Sequence, residues 1–159
     1  MTVRLATSEE LRALPELEAA SDKLFAEIGW GPLPPPGDLE ELRAADWVHV
    51  TGQPPVGFAR VEEVDGHAHL EQLAVHPDHG RRGHGGALVE AAFTHAVEQG
   101  YTAMTLITYA EIPWNQPFYA KHGFTELTEL TPGLEELREH ERALGLDALG
   151  TRVVLRRMA

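Results

Sequence analysis

The chain has 159 residues, a hydrophobic content of 43% and a formal net charge of −12 at pH 7. This length predicts a single domain over 1–159 with a core of its own. The negative charge argues against a nucleic-acid partner, because phosphate backbones bind basic surfaces. Without cysteine, the chain can form no disulfide, thiolate metal site or cysteine nucleophile. A signal pattern and a membrane-spanning apolar run are both missing, so we expect a cytoplasmic monomer or homodimer with no membrane partner.

The N-terminal segment predicts one strand and two helices. Residues 3–7 alternate as a strand does, and Ser8, followed by two glutamates, begins a helix that runs to residue 29. Pro15 falls at a kink or in the first turn of that helix. Asp38 caps a short second helix.

Three strands are predicted next, over 47–52, 56–64 and 67–75. The last two are separated by Asp65-Gly66 alone. Because both residues tolerate a left-handed backbone, this pair predicts a two-residue hairpin turn.

A glycine-rich turn then leads into a long helix. Gly83, Gly85 and Gly86 allow positive φ and expose backbone N–H groups at a helix N-terminus, where Arg81 and Arg82 add charge. The turn lacks the Lys-Ser/Thr of a nucleotide-triphosphate loop and the third glycine of a dinucleotide loop. It therefore predicts a site for a different phosphate-bearing ligand.

The helix after this turn carries two apolar rows. One row is Leu88, Ala92 and Ala96, and the other is Val89, Phe93 and Val97. Gly100 ends the helix, and residues 101–108 predict a central strand buried on both faces.

The C-terminal part alternates helices and strands. It predicts a short helix over 115–123, a strand over 124–130, a charged helix over 132–146 with Pro132 in its first turn, and a last strand over 151–158. The whole order is β-α-α-β-β-β-α-β-α-β-α-β. This order predicts an α+β fold, a mixed α/β sandwich in which helices cover a mixed sheet.

Two motifs resemble the GNAT superfamily of acyl-CoA-dependent N-acyltransferases. Residues 80–85, Gly-Arg-Arg-Gly-His-Gly, are similar to its phosphate turn, although Gly80 stands where the family has Gln or Arg. Residues 117–124, "PFYAKHGF", resemble its second landmark. The resemblance implies a mostly antiparallel sheet of about seven strands, with a central parallel pair formed by the strands at 67–75 and 101–108. It also implies acetyl transfer from acetyl-CoA, the cosubstrate, to a primary amine of a small molecule.

The same resemblance implies which residues hold acetyl-CoA. Backbone amides of the turn would bind the pyrophosphate, the strand end would pair with the pantetheine arm, and an asparagine would hydrogen-bond that arm. These residues are Leu73, Ala74, Val75, Arg81, Arg82, Gly83, His84, Gly85, Gly86, Ala87 and Asn115.

Three residues are candidates for the catalytic chemistry. The strand 68–76 resembles that of serotonin-type arylalkylamine N-acetyltransferases, which implies that His69 or Glu71 takes the amine proton. Alternatively, these residues form ordinary cross-strand pairs, Glu71 with Arg60 and His69 with Glu62, across the hairpin. By resemblance, Tyr119 donates a proton to the leaving thiolate; its alternative is a core aromatic.

The acceptor is open at this stage. In one interpretation, the acceptor site has an aromatic wall formed by Trp30, Trp114 and Tyr109, and Glu27 or Glu111 faces a cationic acceptor. In the other interpretation, these aromatic residues only pack loops. A protein N-terminus or lysine is an alternative acceptor. A protein that senses acyl-CoA without turnover is an alternative function. Although the chain has nine histidines, their spacing is not that of a zinc site, so we expect no metal.

Overall fold

The structure, a computed structural model, describes residues 2–27, 38–112 and 115–159. Its strands are β1 Val3–Leu5, β2 Trp47–Thr51, β3 Gly57–Val64, β4 His67–Val75, β5 Ala103–Tyr109, β6 Thr125–Glu126 and β7 Arg152–Met158. Its α-helices are α1 Leu14–Glu27, α2 Leu39–Ala44, α3 His84–Glu98, α4 Asn115–Lys121 and α5 Pro132–Ala143. Shorter 3₁₀ turns occupy Glu10–Ala13, Pro77–His79 and Leu146–Ala148. Helices and strands follow one another in the predicted order.

The strands form one mixed sheet in the order β1-β2-β3-β4-β5-β7-β6. Strand β2 pairs antiparallel with β1 and β3, and β7 pairs antiparallel with β5 and β6. Strands β4 and β5 are parallel, with Ala68 opposite Met104 and His69 opposite Thr105. The predicted fold class is therefore confirmed. Within the described ranges, no helix is long and apolar enough to cross a membrane.

The chain divides into two compact units. The first consists of Met1–Glu62 with Leu70–His95, and the second of Glu63–His69 with Ala96–Ala159. A core cluster of the first unit comprises Leu14, Leu17, Leu42, Val48, Val50, Phe58 and Ala74. In the second unit, all of β5 except Ile107 is buried, and β7 pairs along its whole length. This agrees with the prediction of a central strand.

The first helix begins differently from the prediction. Thr7, not Ser8, provides the cap: its Oγ1 accepts from the Glu10 backbone N–H at 3.2 Å, and the Glu10 carboxylate accepts from the Thr7 N–H at 3.0 Å. This reciprocal pair is a capping box. A 3₁₀ turn follows, and Pro15 is the second residue of α1, where its missing N–H costs nothing.

Helix α3 carries its two apolar rows as predicted, with one exception. Five of the six residues are buried, and Val97 is 43% exposed because it lies in the last turn. Gly100 has φ of +93° and ends the helix. Its N–H donates to Val97 O, and the next N–H donates to Ala96 O, both at 3.0 Å. These two bonds form a Schellman motif.

The strand over 124–130 was predicted too long, since β6 spans only Thr125–Glu126. The flanking residues belong to helix ends. The Phe124 N–H donates to Tyr119 O at 3.0 Å and closes α4, and Thr131 is the N-cap residue of α5. Strand β1 and helix α5 are likewise shorter than predicted, ending at Leu5 and Ala143.

The β3–β4 turn also supports α5. Asp65 and Gly66 have φ of +53° and +78°, as a type I′ turn requires, which confirms the predicted hairpin. The Asp65 carboxylate accepts from the Gly133 N–H at 2.7 Å, whereas Thr131 makes no side-chain cap bond. A Cβ on Gly133 would lie 2.7 Å from the Asp65 carboxylate. Any larger residue at this position would therefore force the Asp65 and Val64 side chains to shift.

Candidate active site

The glycine-rich turn presents backbone N–H groups at the start of α3. Arg81 and Gly83 both have left-handed backbone conformations, with φ of +61° and +83°. The first backbone bond of the helix runs from the Ala87 N–H to Gly83 O at 3.1 Å. By helix geometry, the N–H groups of the three residues between them have no acceptor within the helix. Such a helix start suits an anion, as the sequence predicted.

Three imidazoles lie along this turn. The His76 and His79 ring centroids are 6.0 Å apart, and those of His79 and His84 are 6.4 Å apart. Burial lowers the pKa of His84, and the charges of His79 and Arg82 lower it further. Arg81 and Arg82 are exposed and carry the turn's fixed positive charge. Among the residues that the structure describes, no group of three or more His, Asp or Glu side chains could hold a metal ion.

The end of β4 lies close to the start of β3. Ala74 is buried, while Leu73 and Val75 are half-buried. A Cβ on Gly57 would lie 3.1 Å from Ala74 O and 3.0 Å from Leu88 Cδ1, so glycine permits this close approach. Sequence reasoning missed Gly57, because its only signal is the absence of a side chain in an otherwise bulky strand.

Glu71 is held by an arginine. Arg60 is 8% exposed, and its guanidinium lies 3.8 Å from the Glu71 carboxylate and 3.4 Å from that of Glu41 on α2. The Glu71 side chain keeps 27% exposure. Burial raises the pKa of Glu62, and the Glu71 charge raises it further. The cross-strand ion pair of Arg60 with Glu71 is confirmed, and it leaves the Glu71 side chain partly exposed, although its Oε2 is buried.

His69 is enclosed. It is 2% exposed, and its Nδ1 lies 2.8 Å from Thr105 Oγ1 on β5. Burial lowers the pKa of His69 to about 4; the charge of Glu141 opposes this shift and that of Arg152 adds to it. The imidazole is therefore neutral throughout the physiological range. Its predicted pairing with Glu62 stays a prediction.

Helix α4 carries the other two predicted site residues. Asn115 donates from Nδ2 to Thr108 Oγ1 at 2.8 Å. The Tyr119 ring packs edge-on against Phe118 and Phe124, with centroid distances of 5.1 and 5.8 Å. Burial raises the pKa of Tyr119 to about 12, and the charge of Arg152 opposes the shift. The Tyr119 ring thus takes part in aromatic packing and its hydroxyl stays protonated at neutral pH, while its role as a proton donor stays a prediction.

A buried ion-pair network was not predicted. Arg138 binds both oxygens of Asp147, at 3.0 and 2.8 Å, and Glu141 at 2.7 Å. Arg152 binds both oxygens of Glu141, at 3.2 and 2.8 Å, and lies 4.4 Å above the Tyr109 ring. Arg138 and Arg152 border a cleft of about 380 Å³. Only the dense charge of the predicted helix over 132–146 hinted at these pairs.

Three of the five residues predicted to line the acceptor site lie within the described ranges. Tyr109 is 5% exposed, and its hydroxyl donates to Leu146 O at 2.9 Å, so Tyr109 is a packed residue. Both Glu111 oxygens accept from the Thr151 N–H, at 3.1 and 2.9 Å. Glu27 is exposed. Trp30 and Trp114 lie outside the described residues.

Sequence comparison relates the chain to acetyltransferases. The profile described as the acetyltransferase (GNAT) family matches residues 9–124. A curated relative, the uncharacterized N-acetyltransferase YjcF of Bacillus subtilis (strain 168), is 33% identical over 78 residues, which are 49% of this chain and 54% of the relative. The match thus spans about half the length of this curated relative.

Solved structures share the fold. Rv2747 from Mycobacterium tuberculosis, in complex with CoA and NLQ, has a TM-score of 0.72 at 20% identity, over 100% of this chain and 99% of that one. The ribosomal-protein-S18-alanine N-acetyltransferase from Escherichia coli has a TM-score of 0.69 at 18% identity, over 99% and 92% of the two chains. At these identities, the likeness establishes the fold alone.

Proposed function

The chain belongs to the acetyltransferase (GNAT) family, and on that premise we propose that it transfers an acetyl group from acetyl-CoA to a primary amine. The observation that carries the proposal is the turn into α3, where left-handed backbone at Arg81 and Gly83 precedes a helix start whose first N–H groups have no acceptor within the helix. This start suits a pyrophosphate, because amide dipoles and two arginines favour negative charge.

The proposed acetyl-CoA site uses the residues that the family resemblance implies. The N–H groups of residues 83–86 would bind the pyrophosphate, supported by Arg81 and Arg82, while Ala87, whose N–H donates to Gly83 O, would only border it. The backbone of residues 73–75 would pair with the amides of the pantetheine arm as an added strand does. The Asn115 side chain, held by Thr108 at 2.8 Å, would hydrogen-bond the same arm.

The proposed reaction is direct attack of the amine, since the chain has no cysteine to carry an acyl group. The amine nitrogen forms a bond to the thioester carbon, and the carbon–sulfur bond breaks. Glu71 would take the amine proton, directly or through water, because its side chain is partly exposed; His69 would serve as a further acceptor on that route. Tyr119 would protonate the departing thiolate and be reprotonated from solvent.

The acceptor in this proposal is a small-molecule amine. The support is electrostatic: a chain with a net charge of −12 attracts cations and repels nucleic acid. Peptides with a free N-terminus or a lysine carry the same reacting group, so they belong in the same assay.

Release of free thiol from acetyl-CoA, measured across amines, diamines, amino acids and peptides, tests the proposal. We expect one acceptor class to turn over, with kcat/KM lowered by about 100-fold or more in Glu71→Gln and Tyr119→Phe. Glu98→Gln and Tyr101→Phe are matched controls at positions outside the proposed site.

Binding of CoA by calorimetry separates the alternatives. Tight CoA binding without thiol release from acetyl-CoA with any acceptor would contradict the proposed enzyme and support a sensor of acyl-CoA instead. Absence of CoA binding would overturn the assignment of the turn before α3 as a pyrophosphate site.

A further inference from the structure

The imidazole of His84 lies at the N-terminal end of α3 among positive charges. Burial lowers its pKa, and the charges of His79, Arg82 and the α-amino group of the chain lower it further. The first turn of α3 contains no acidic residue. Helix α1 packs against the 3₁₀ turn at residues 77–79, yet none of its carboxylates is among the charges that act on His84. Each of these charges therefore opposes protonation of the ring.

The single carboxylate of residues 76–84 serves a different imidazole. Asp78 Oδ2 lies 3.8 Å from His76 Nδ1, and the same nitrogen accepts a hydrogen bond from the Asp78 N–H at 3.1 Å. The His84 ring, whose centroid is 6.4 Å from that of His79, has a buried Nδ1 with no hydrogen-bond partner in the described part of the chain. No hydrogen bond to Nδ1 thus fixes the protonation state of His84.

A pyrophosphate at the start of α3 would reverse this electrostatic balance. The His84 N–H is one of the donors in the proposed site. Its imidazole would therefore lie within about 10 Å of the phosphates whichever way the side chain turns, and this distance is about one Debye length in 0.1 M salt. The negative charge would offset the charges of His79 and Arg82, and it would favour the protonated ring.

We propose that CoA binding and protonation of His84 are coupled, so that the chain takes up a proton at this imidazole when the pyrophosphate binds and holds CoA more tightly as the pH falls from 7.5 to 6. The inference rests on the proposed CoA site and concerns its regulation. The coupling is reciprocal, because an anion that favours the protonated ring must bind better to a ring already protonated. The proton comes from the buffer, and no covalent bond of CoA changes.

Calorimetry in buffers of different ionisation enthalpy counts the protons taken up. The probe is dephospho-CoA, which keeps the pyrophosphate but lacks the phosphate monoester of CoA, a group that itself titrates near pH 6. At pH 6.5, in bis-Tris, PIPES and imidazole at equal ionic strength, we expect wild type to take up about 0.3–0.5 proton per bound ligand. His84→Asn keeps the backbone N–H and should lose most of this uptake. His140→Asn, at an exposed position on α5, is the matched control and should behave as wild type does.

NMR titration of the His84 ring, assigned through the backbone, tests the coupling without any variant. The ring should become protonated at a higher pH when dephospho-CoA is bound. Identical titration curves with and without the ligand would overturn the inference.

The pH dependence of affinity separates this inference from the proposed function. Between pH 7.5 and pH 6 we expect the Kd of dephospho-CoA to fall about 3-fold for wild type and less than about 1.5-fold for His84→Asn. Binding without proton uptake, or equal uptake in wild type and His84→Asn, would overturn the inference and leave the proposed function standing. If neither CoA nor dephospho-CoA bound at any pH, the proposed CoA site would be wrong and the inference would fall with it.

Discussion

Burial of His69 makes the stability of the fold depend on pH. The folded-state pKa is about 4, below the ordinary 6.5, so between these values the unfolded chain binds a proton that the folded chain does not. The free energy of unfolding must then decrease as the pH falls through this interval. The stabilisation that depends on His69 being neutral is complete above pH 6.5 and is lost as the pH approaches 4.

The size of this pH dependence follows from the difference between the folded and unfolded pKa values of His69. One proton bound only by the unfolded chain changes the unfolding free energy by ~1.4 kcal/mol per pH unit. Between pH 7 and pH 4.5 the contribution of His69 therefore falls by about 2 kcal/mol. That is a substantial part of a typical domain stability of roughly 5–15 kcal/mol.

Urea denaturation of wild type and His69→Asn at pH 7 and pH 4.5 measures the pH-dependent contribution of His69 to the free energy of unfolding. The asparagine amide keeps a polar partner for Thr105 but does not titrate. We expect the variant to lose about 2 kcal/mol less than wild type between the two pH values. His140→Asn, at an exposed position on α5, controls for loss of an imidazole. Equal losses in wild type and His69→Asn would refute the reasoning.

Three further results are expected. Gly133→Ala should lower the melting temperature more than Gly80→Ala, because its Cβ would lie 2.7 Å from the Asp65 carboxylate, whereas a Cβ at Gly80, where φ is −66°, would meet only Pro77 O at 3.4 Å; the reverse order would contradict the contact. Arg138→Met should cost about 1–2 kcal/mol in urea denaturation, since Asp147 loses the guanidinium that binds both its oxygens while Glu141 keeps Arg152, and an unchanged midpoint would contradict this. A Tyr119→Phe difference spectrum should show no tyrosinate from Tyr119 below pH 10, because burial raises its pKa to about 12; ionisation near pH 10 would show an exposed hydroxyl.

Features set by neighbouring residues were predictable. The Asp65-Gly66 turn, the C-cap at Gly100 and the apolar rows of α3 all depend on a few adjacent positions, and the structure has them. The turn into α3 was predictable for the same reason. Even here a one-residue ambiguity persisted, since Thr7 and Ser8 are equally good caps until Glu10 selects one of them.

Features that join distant segments were not predictable. Thr105 meets His69 across 36 positions, and Arg152 meets Glu141 across the connection between α5 and β7. Threonine and arginine occur throughout the chain, so residue type alone does not indicate which copy is buried beside a histidine or carboxylate. The ion pair of Arg60 with Glu71 could be predicted because the hairpin turn fixes the register of its two strands.

The turn at Asp65 has a practical implication for protein engineering. Asp65 and Gly66 are exposed, and exposed hairpin tips ordinarily accept inserted peptides or new chain termini. Here the side chain of the tip also holds the first turn of α5 through Gly133. An insertion would move that carboxylate away from a helix that begins 67 positions later. Affinity tags, fluorophore sites and permuted termini therefore belong elsewhere in the chain.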